Sequence, residues 1–475
     1  MNIEHKENIF YIRFLAFLYG VISISVMVYT AAVYIMKGRN GVAELFLKSP
    51  HTTTDLMILY VGIFWILLGA ILYLGAKKIF NLNNIIFYAP LFLCAFAYLN
   101  FLRENINYDD VWAYTEAAFN LERHEPFNAH YLYPPLWASC LQLLAPWGYV
   151  TMKVFCLLVN YISFLLFYIL LYLTLQRYGF RANFAALMTF MALIANAAVV
   201  RTLFFGQINF QVIDLVLLSL LCYRRHIFLS ALTLGIAVHL KATPMIMILP
   251  FILNRDGKWL LYFLGTILLI VILTSWTNDI GYYYNFLSNA AAKASKAGFA
   301  LRDNSIKSFA NATLFYFNLN QNSARYLIPL GMLILLTSSL WILFQVVRNR
   351  LFYQGDVKET VVYNSYIILL FLMTMISPLV WAHHFVFMIP AVLIMIKLLS
   401  SRKDLVIYLT AYILIYLVPA FDFYPYSYNR LAGVILGYVL LIGFLKTPHP
   451  EGGRYFETAN RWDRVLTSMK GAKED

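Results

Sequence analysis

The stretch Phe228-Leu-Ser-Ala-Leu-Thr-Leu-Gly-Ile-Ala-Val-His-Leu-Lys-Ala-Thr-Pro-Met-Ile-Met-Ile-Leu-Pro-Phe-Ile-Leu253 is apolar except where His239, Lys241 and Pro244 interrupt it. Arg224 and Arg225 precede it, and Arg255 and Lys258 follow. Short loops rich in Lys and Arg stay on the cytoplasmic side of a membrane, so both ends of this segment belong on one side. Such a segment must enter and turn back, and Pro244 helps to break the helix where the turn is needed. Residues 228–253 are therefore predicted as a re-entrant helix pair. Lys241 then needs a partner or a water-lined cavity, because a lone ammonium in hydrocarbon is costly.

Outward from this stretch, apolar segments run at 9–35, 56–75, 84–102, 150–175, 182–203, 207–223, 259–276, 327–346, 361–376, 385–400, 405–420 and 431–446. Each is close to the roughly 20 residues that cross a bilayer, which predicts about 12 transmembrane helices. Composition agrees, since 61% of the 475 residues are hydrophobic and only 12% charged, about half the charge of a soluble domain. The chain reads as an all-α polytopic membrane protein. The run Ile9 to Tyr34 is too long for a signal-peptide core and reads as a retained span.

A net charge of +13 would suggest nucleic acid in a soluble protein. Here the basic residues cluster in short loops: Lys77-Lys78, Arg177 with Arg181, Arg224-Arg225, Arg255 with Lys258, Arg348 with Arg350, and Arg402-Lys403. With the N-terminus inside, all of them fall on the cytoplasmic face, as does a tail over 447–475. Lys293, Lys296, Arg302, Lys307 and Arg325 break the rule together in one outer loop, and mark it as a candidate functional region. Cys94, Cys140, Cys156 and Cys222 lack metal-ligand spacing and read as small buried hydrophobes.

The first large outer loop, 103–149, contains Asn107-Tyr-Asp-Asp-Val-Trp-Ala-Tyr-Thr-Glu116 and Tyr133-Pro-Pro-Leu136. Tyr114, Ala117, Ala118 and Leu121 recur at helical spacing, which predicts an amphipathic helix on the membrane surface starting just after Asp109 or Asp110. Pro134 and Pro135 suit the first turn of a second short helix, ending before Pro146. One of the two Asp residues can cap the first helix. One cap site needs one carboxylate, so the other is solvated or used: to deprotonate a hydroxyl, hold a cation or relay a proton. Glu116, Glu122 and Glu125 fall on different helix faces, so the loop gives metal binding little support.

Further polar groups interrupt the apolar segments. Arg201-Thr-Leu-Phe-Phe-Gly-Gln207-Ile-Asn209, with Gln211 and Asp214, joins two spans at the outer side, where Gly206 can supply a turn and Arg201 can either face an anion or snorkel. Ser377-Pro-Leu-Val-Trp-Ala-His383-His384 opens another span; adjacent histidines address different partners, and the pattern lacks zinc-site spacing. The outer loop from Thr277 to Tyr326 carries Asp303-Asn304-Ser305-Ile306. Phe421 to Tyr428 reads as an aromatic interface belt. No nucleotide-binding motif is present in the sequence.

The ordered set Asp110-x-x-x-Tyr114-x-x-Ala117-Ala118, Tyr133-Pro-Pro-Leu136, Gly206-Gln207-x-Asn209, Lys241-x-x-Pro244, Asn304-Ser305 and Ser377-Pro-x-x-Trp381-x-His383-His384 resembles glycosyltransferase family 87, over roughly 100–400. These are polyprenyl-phosphate-mannose-dependent mannosyltransferases of the GT-C fold. The resemblance implies a single transmembrane domain over 1–446, with juxtamembrane helices in an outer catalytic loop. It places the general base at Asp110, with Asp109 as neighbour or cap. Donor phosphate or sugar contacts are expected from Arg201, Gln207, Asn209, Lys241, Asn304, His383 and His384, and acceptor or loop support from Tyr114 and Tyr133. No metal or cofactor is implied. This chain departs from the pattern in an additional hairpin region over 36–102, and in Asp303-Asn-Ser-Ile where Asn-Gln-Ser-Leu is common.

The implied activity is inverting transfer of a hexose, mannose by resemblance, from a polyprenyl-phosphate donor to a hydroxyl of a lipid-linked or cell-envelope glycan. One displacement needs one base and a stabilised leaving phosphate. The expected setting is a monomer in the cell membrane among its lipids, termini cytoplasmic and active site extracytoplasmic, with no nucleic-acid partner. A transporter or flippase of lipid-linked sugars would want mid-membrane polar sites and internal repeats; a polymerase or ligase using a lipid diphosphate is the other alternative.

Overall fold

The computed structural model describes residues 109–194, 196–295, 298–399, 401–418 and 423–446. The segments 9–35, 56–75 and 84–102, the hairpin region 36–102 and the tail 447–475 lie outside them. All regular structure among the described residues is helical, as it must be where hydrocarbon offers the backbone no hydrogen-bond partner. In chain order the α-helices are α1 Asp109–Glu122, α2 Leu136–Gln142, α3 Gly148–Arg177, α4 Ala182–Ile194, α5 Ala197–Phe204, α6 Asn209–Cys222, α7 Ile227–Leu240, α8 Leu249–Leu253 and α9 Gly257–Thr277. They continue with α10 Gly281–Ser295, α11 Ile306–Tyr316, α12 Ala324–Arg348, α13 Val357–Met375, α14 Ile389–Met395, α15 Arg402–Tyr412 and α16 Asn429–Lys446.

Among the described residues, 5 helices are long and apolar enough to cross a membrane: those containing α3, α9, α12, α13 and α16. α4 and α5, bent by 59°, make a sixth if they form one broken span. The other expected spans are short or interrupted. α6 has 14 residues. The segment at 385–400 opens as a 3-10 turn over Ala382–Met388 before α14. The one at 405–420 ends in a π turn over Ile413–Leu417. Released backbone groups find side chains there: Asn429 Nδ2 donates to the Leu414 carbonyl at 2.8 Å, and Arg430 Nη2 to that of Val418 at 3.1 Å. Asn196 likewise caps α5, accepting from the Ala198 and Val199 N–H groups.

The segment 227–253 doubles back on itself. Ser230 near the start of α7 accepts from Trp259 Nε1 at the start of α9, and His239 near the end of α7 lies 3.2 Å from the Ile267 carbonyl. α7 and α9 therefore run side by side in the same direction. Between them Thr243–Ile248 and α8 return, until Phe251 stacks on Trp259 with centroids 3.5 Å apart. Gly235 permits the α7–α9 approach, because a Cβ there would meet Thr266 Cγ2 at 2.6 Å. Lys241 consequently stands at the tip of a hairpin.

α13 forms the centre of the bundle, with 83% of its apolar window buried, against 22% for α9 and 17% for α12. α9 and α12 expose rows of Leu and Ile, as expected of helix faces turned toward lipid. One end of the bundle is tied by Arg177–Glu359 and Arg224–Asp356 ion pairs, both 2.7 Å, and by the Tyr178 hydroxyl donating to the Tyr363 carbonyl. The other end holds α1, α2, the hairpin tip and residues 377–384.

A clamp at that second end involves Asp303-Asn304-Ser305. Asp303 Oδ1 accepts from the Val380 N–H at 2.8 Å, and the Asn304 N–H donates to the Val380 carbonyl at 2.8 Å. The Asn304 carboxamide is occupied on both sides, Oδ1 accepting from the Leu431 N–H and Nδ2 donating to the Arg302 carbonyl. Asn304 is fully buried. Expected at the donor, Asn304 ties 302–305 to 380 and α16 in this structure. Burial pushes the Asp303 carboxyl up, while the Val380 and Ser305 N–H groups pull against that shift. Asn304→Ala leaves the Leu431 N–H without its acceptor and is expected to cost about 1–3 kcal/mol, read as a lower thermal midpoint of the detergent-solubilised protein. Unchanged stability with weakened donor use would return Asn304 to the substrate site.

Candidate active site

α1 begins at Asp109; the Asp109 side chain lies outside the described residues. Tyr114, Ala117, Ala118 and Leu121 are all buried, while Trp112 on the opposite face is 46% exposed, so α1 lies with one stripe against the bundle. Pro135 is the N-cap of α2. Tyr131 secures that start, its hydroxyl donating to the Pro134 carbonyl and accepting from the Ala138 N–H. The Tyr-Pro-Pro turn thereby brings Tyr133 against Tyr114, edge to face at 5.2 Å.

Between these rings and Asp110 sits Gln207. Gly206 at φ 61° makes the turn after α5, using the left-handed region that glycine enters without strain. Tyr114 and Tyr133 both donate to Gln207 Oε1, at 3.3 and 3.1 Å. Burial pushes both phenols up, so they remain protonated donors. Their donation fixes which way the amide points: Oε1 faces the tyrosines and Nε2 donates to Asp110 Oδ2. Gln207, expected at the donor, bonds the Asp110 carboxylate in this structure.

Lys241 Nζ donates to Asn209 Oδ1 at 2.9 Å, and lies 5.8 Å from the Tyr133 ring centroid and 5.3 Å from that of Phe387. The Asp110 charge reaches it. Asn209 Nδ2 donates to the His383 carbonyl at 3.0 Å, so this fully buried amide joins α6, the hairpin tip and the 382–388 turn. His384 Nδ1 accepts from the Trp381 N–H at 2.9 Å, which leaves the ring proton on Nε2. His383 Nδ1 is buried without a hydrogen-bond partner among the described residues. The two adjacent histidines thus serve different ends, with their rings 4.5 Å apart.

Arg201 is 4% exposed, so it does not snorkel, and its charge acts on His383. Arg430, absent from the sequence expectations, is fully buried. Its Nη2 bonds Val418, but Nε and Nη1 have no hydrogen-bond partner among the described residues, and both Arg201 and Arg302 act on it electrostatically. An arginine at the polar start of the last apolar run, Asn429-Arg430-Leu, was the available signal. The other basic residues of the outer loop disperse: Lys307 donates to the Lys293 and Ala294 carbonyls and Arg325 lies over Tyr326, while Lys296 lies outside the described residues. Gln211 and Asp214 are buried in α6. Cys140 is exposed, unlike Cys156. Tyr424 stacks on Tyr316, with ring centroids 4.9 Å apart.

The arrangement offers a hydrogen-bonded carboxylate at one side and Lys241, His383, His384, Arg201 and Arg430 beyond it. That is the polarity needed to take a proton at one point and receive negative charge at another.

Among proteins of known function, a polyprenol-phosphate-mannose-dependent alpha-(1-2)-phosphatidylinositol mannoside mannosyltransferase of Mycobacterium tuberculosis H37Rv is 30% identical over 203 residues, 42% of this chain and 43% of the relative. A protein of the same name from Mycolicibacterium smegmatis is 28% identical over 236 residues, 47% and 49% of the two chains. The chain spans less than half the length of each of these relatives. The profile of glycosyltransferase family 87 matches residues 131–378, and with the geometry above the chain belongs to that family.

Proposed function

We propose that the chain is an inverting membrane glycosyltransferase. It moves a hexose, mannose, from a polyprenyl-phosphate donor to a hydroxyl of a lipid-linked or cell-envelope glycan at the extracytoplasmic face of the cell membrane. The observation that carries this reading is the Asp110 carboxylate, aimed by a Gln207 amide that two buried tyrosines lock. The names of the two mycobacterial relatives support the donor class.

In the reaction, Asp110 takes the proton of the acceptor hydroxyl while its oxygen attacks the anomeric carbon. The bond from that carbon to the phosphate oxygen breaks, and polyprenyl phosphate leaves with one more negative charge than it had as a diester. Lys241, Arg201 and Arg430, with the His384 Nε2 proton, receive that charge where water cannot. Gln207 is a positioning residue: its amide N–H holds Asp110 Oδ2 and so orients the carboxylate. Asn209 holds Lys241 in place without neutralising it.

Asp110→Asn is expected to reduce transfer by about 100- to 10,000-fold, the range of a lost general base, with donor binding retained; turnover near the parent rate in purified protein would remove Asp110 from this role. Gln207→Leu should lower kcat roughly ten-fold and shift the acidic limb of the pH–rate profile, because the carboxylate loses a fixed donor; a lower rate with an unmoved limb would make Gln207 merely structural. Arg430→Met should raise the donor KM more than it lowers kcat if the guanidinium holds ground-state phosphate. An unchanged donor titration, in a variant with the parent's thermal midpoint, would place the phosphate elsewhere.

A further inference from the structure

At the end of the bundle opposite Asp110, a cavity of about 470 Å³ opens between the start of α7 and the start of α9. Arg224, Arg225, His226, Phe228, Lys258 and Tyr262 contribute to its lining. α7 has 14 residues, which puts this cavity about 20 Å along the bundle from Lys241 at the hairpin tip. It therefore plays no part in the chemistry described above.

The charges around it do not balance. Arg224 is tied to Asp356 at 2.7 Å. Asp256 is occupied, accepting from the Tyr223 hydroxyl and from the Trp259 N–H as the cap of α9. Asp356 and Glu359 face Arg224, with Glu359 also bound to Arg177. Arg225 and Lys258 have no carboxylate partner among the described residues. The first turn of α7 adds to this surplus, since its N-cap, His226, makes no side-chain cap and its residues Ile227, Phe228 and Leu229 line the cavity.

The walls identify the occupant. Phe228 is 56% exposed at the rim, with its ring edge to face on Tyr262 at 5.5 Å. From Tyr262 the outer face of α9 continues as Leu261, Leu264, Leu268, Ile272 and Leu273, each more than half exposed. A soluble anion has no use for that apolar track. A lipid with an anionic headgroup fits both parts, with its phosphate among Arg225, Lys258 and the α7 N–H groups and its acyl chains along α9.

We infer that the cavity bordered by Arg225, Lys258 and Phe228 is a binding site for an anionic phospholipid, seated at the base of the hairpin whose tip carries Lys241. The full-length protein in detergent, titrated with phosphatidylglycerol or phosphatidylcholine and read by native mass spectrometry, tests it. The parent should retain phosphatidylglycerol in preference to phosphatidylcholine, and R225Q/K258Q should weaken that binding by roughly thirty-fold. No lipid preference in the parent, an unaltered preference in the double variant, or displacement of the lipid by millimolar inorganic phosphate would each overturn the proposal. Photoactivatable phosphatidylglycerol keeps the test open if the double variant does not fold. In the parent, the label should map to peptides containing 224–229 or 258–262, and labelling confined to other helices would overturn the assignment.

Discussion

The side chain of Asn209 is the interaction on which the polar end of this protein depends. Its oxygen accepts from Lys241 and its nitrogen donates to the His383 carbonyl, all three groups being buried. A buried ammonium loses several kcal/mol of hydration, and a neutral amide offsets part of that loss without cancelling the charge. Had the partner been a carboxylate, the cation would be neutralised and of little use to an incoming anion. These two hydrogen bonds fasten the hairpin tip to α6 and to the turn that carries both histidines.

The same economy appears at Gln207. A carboxamide has a donor side and an acceptor side, so two tyrosine hydroxyls on one side dictate what the other side offers. The result is an N–H aimed at Asp110. Irregular backbone gathers around these two amides: the break between α5 and α6, the hairpin tip, and the 3-10 turn at Ala382–Met388. Non-helical backbone at such depth is tolerated only where side chains meet the released groups. Asn196, Asn304, Asn429 and Arg430 do so here. Broken helices and a polar centre are thus one feature, since each requires the other.

A bundle with different ends follows from this. The end near Arg177 and Arg224 is closed by ion pairs and stacked tyrosines, and its remaining positive charge faces outward beside an apolar helix face. The end near Asp110 has its positive charge buried around Lys241, Arg201 and Arg430. Along α7 the hairpin connects the two, so the basic cavity at one end and the buried polar cluster at the other share an element.

Sequence alone determined the features that depend on local chemistry. Apolar runs without charge must be helices in hydrocarbon, Pro134 and Pro135 must open a helix, Gly206 must turn, and Lys241 in an apolar segment must find a partner. Basic flanks at 224–225 and 255–258 required the segment between them to return, and the chain does return, with Phe251 on Trp259. What the partners are was decided only by tertiary structure. Gln207 meets Asp110 and Tyr114 across more than ninety positions of chain, and Asn304, read as a donor contact, is occupied by Leu431 and Arg302. An amide looks the same in sequence whether it faces a ligand, a catalytic group or a backbone, because its role is set by what the folded chain brings within 3 Å.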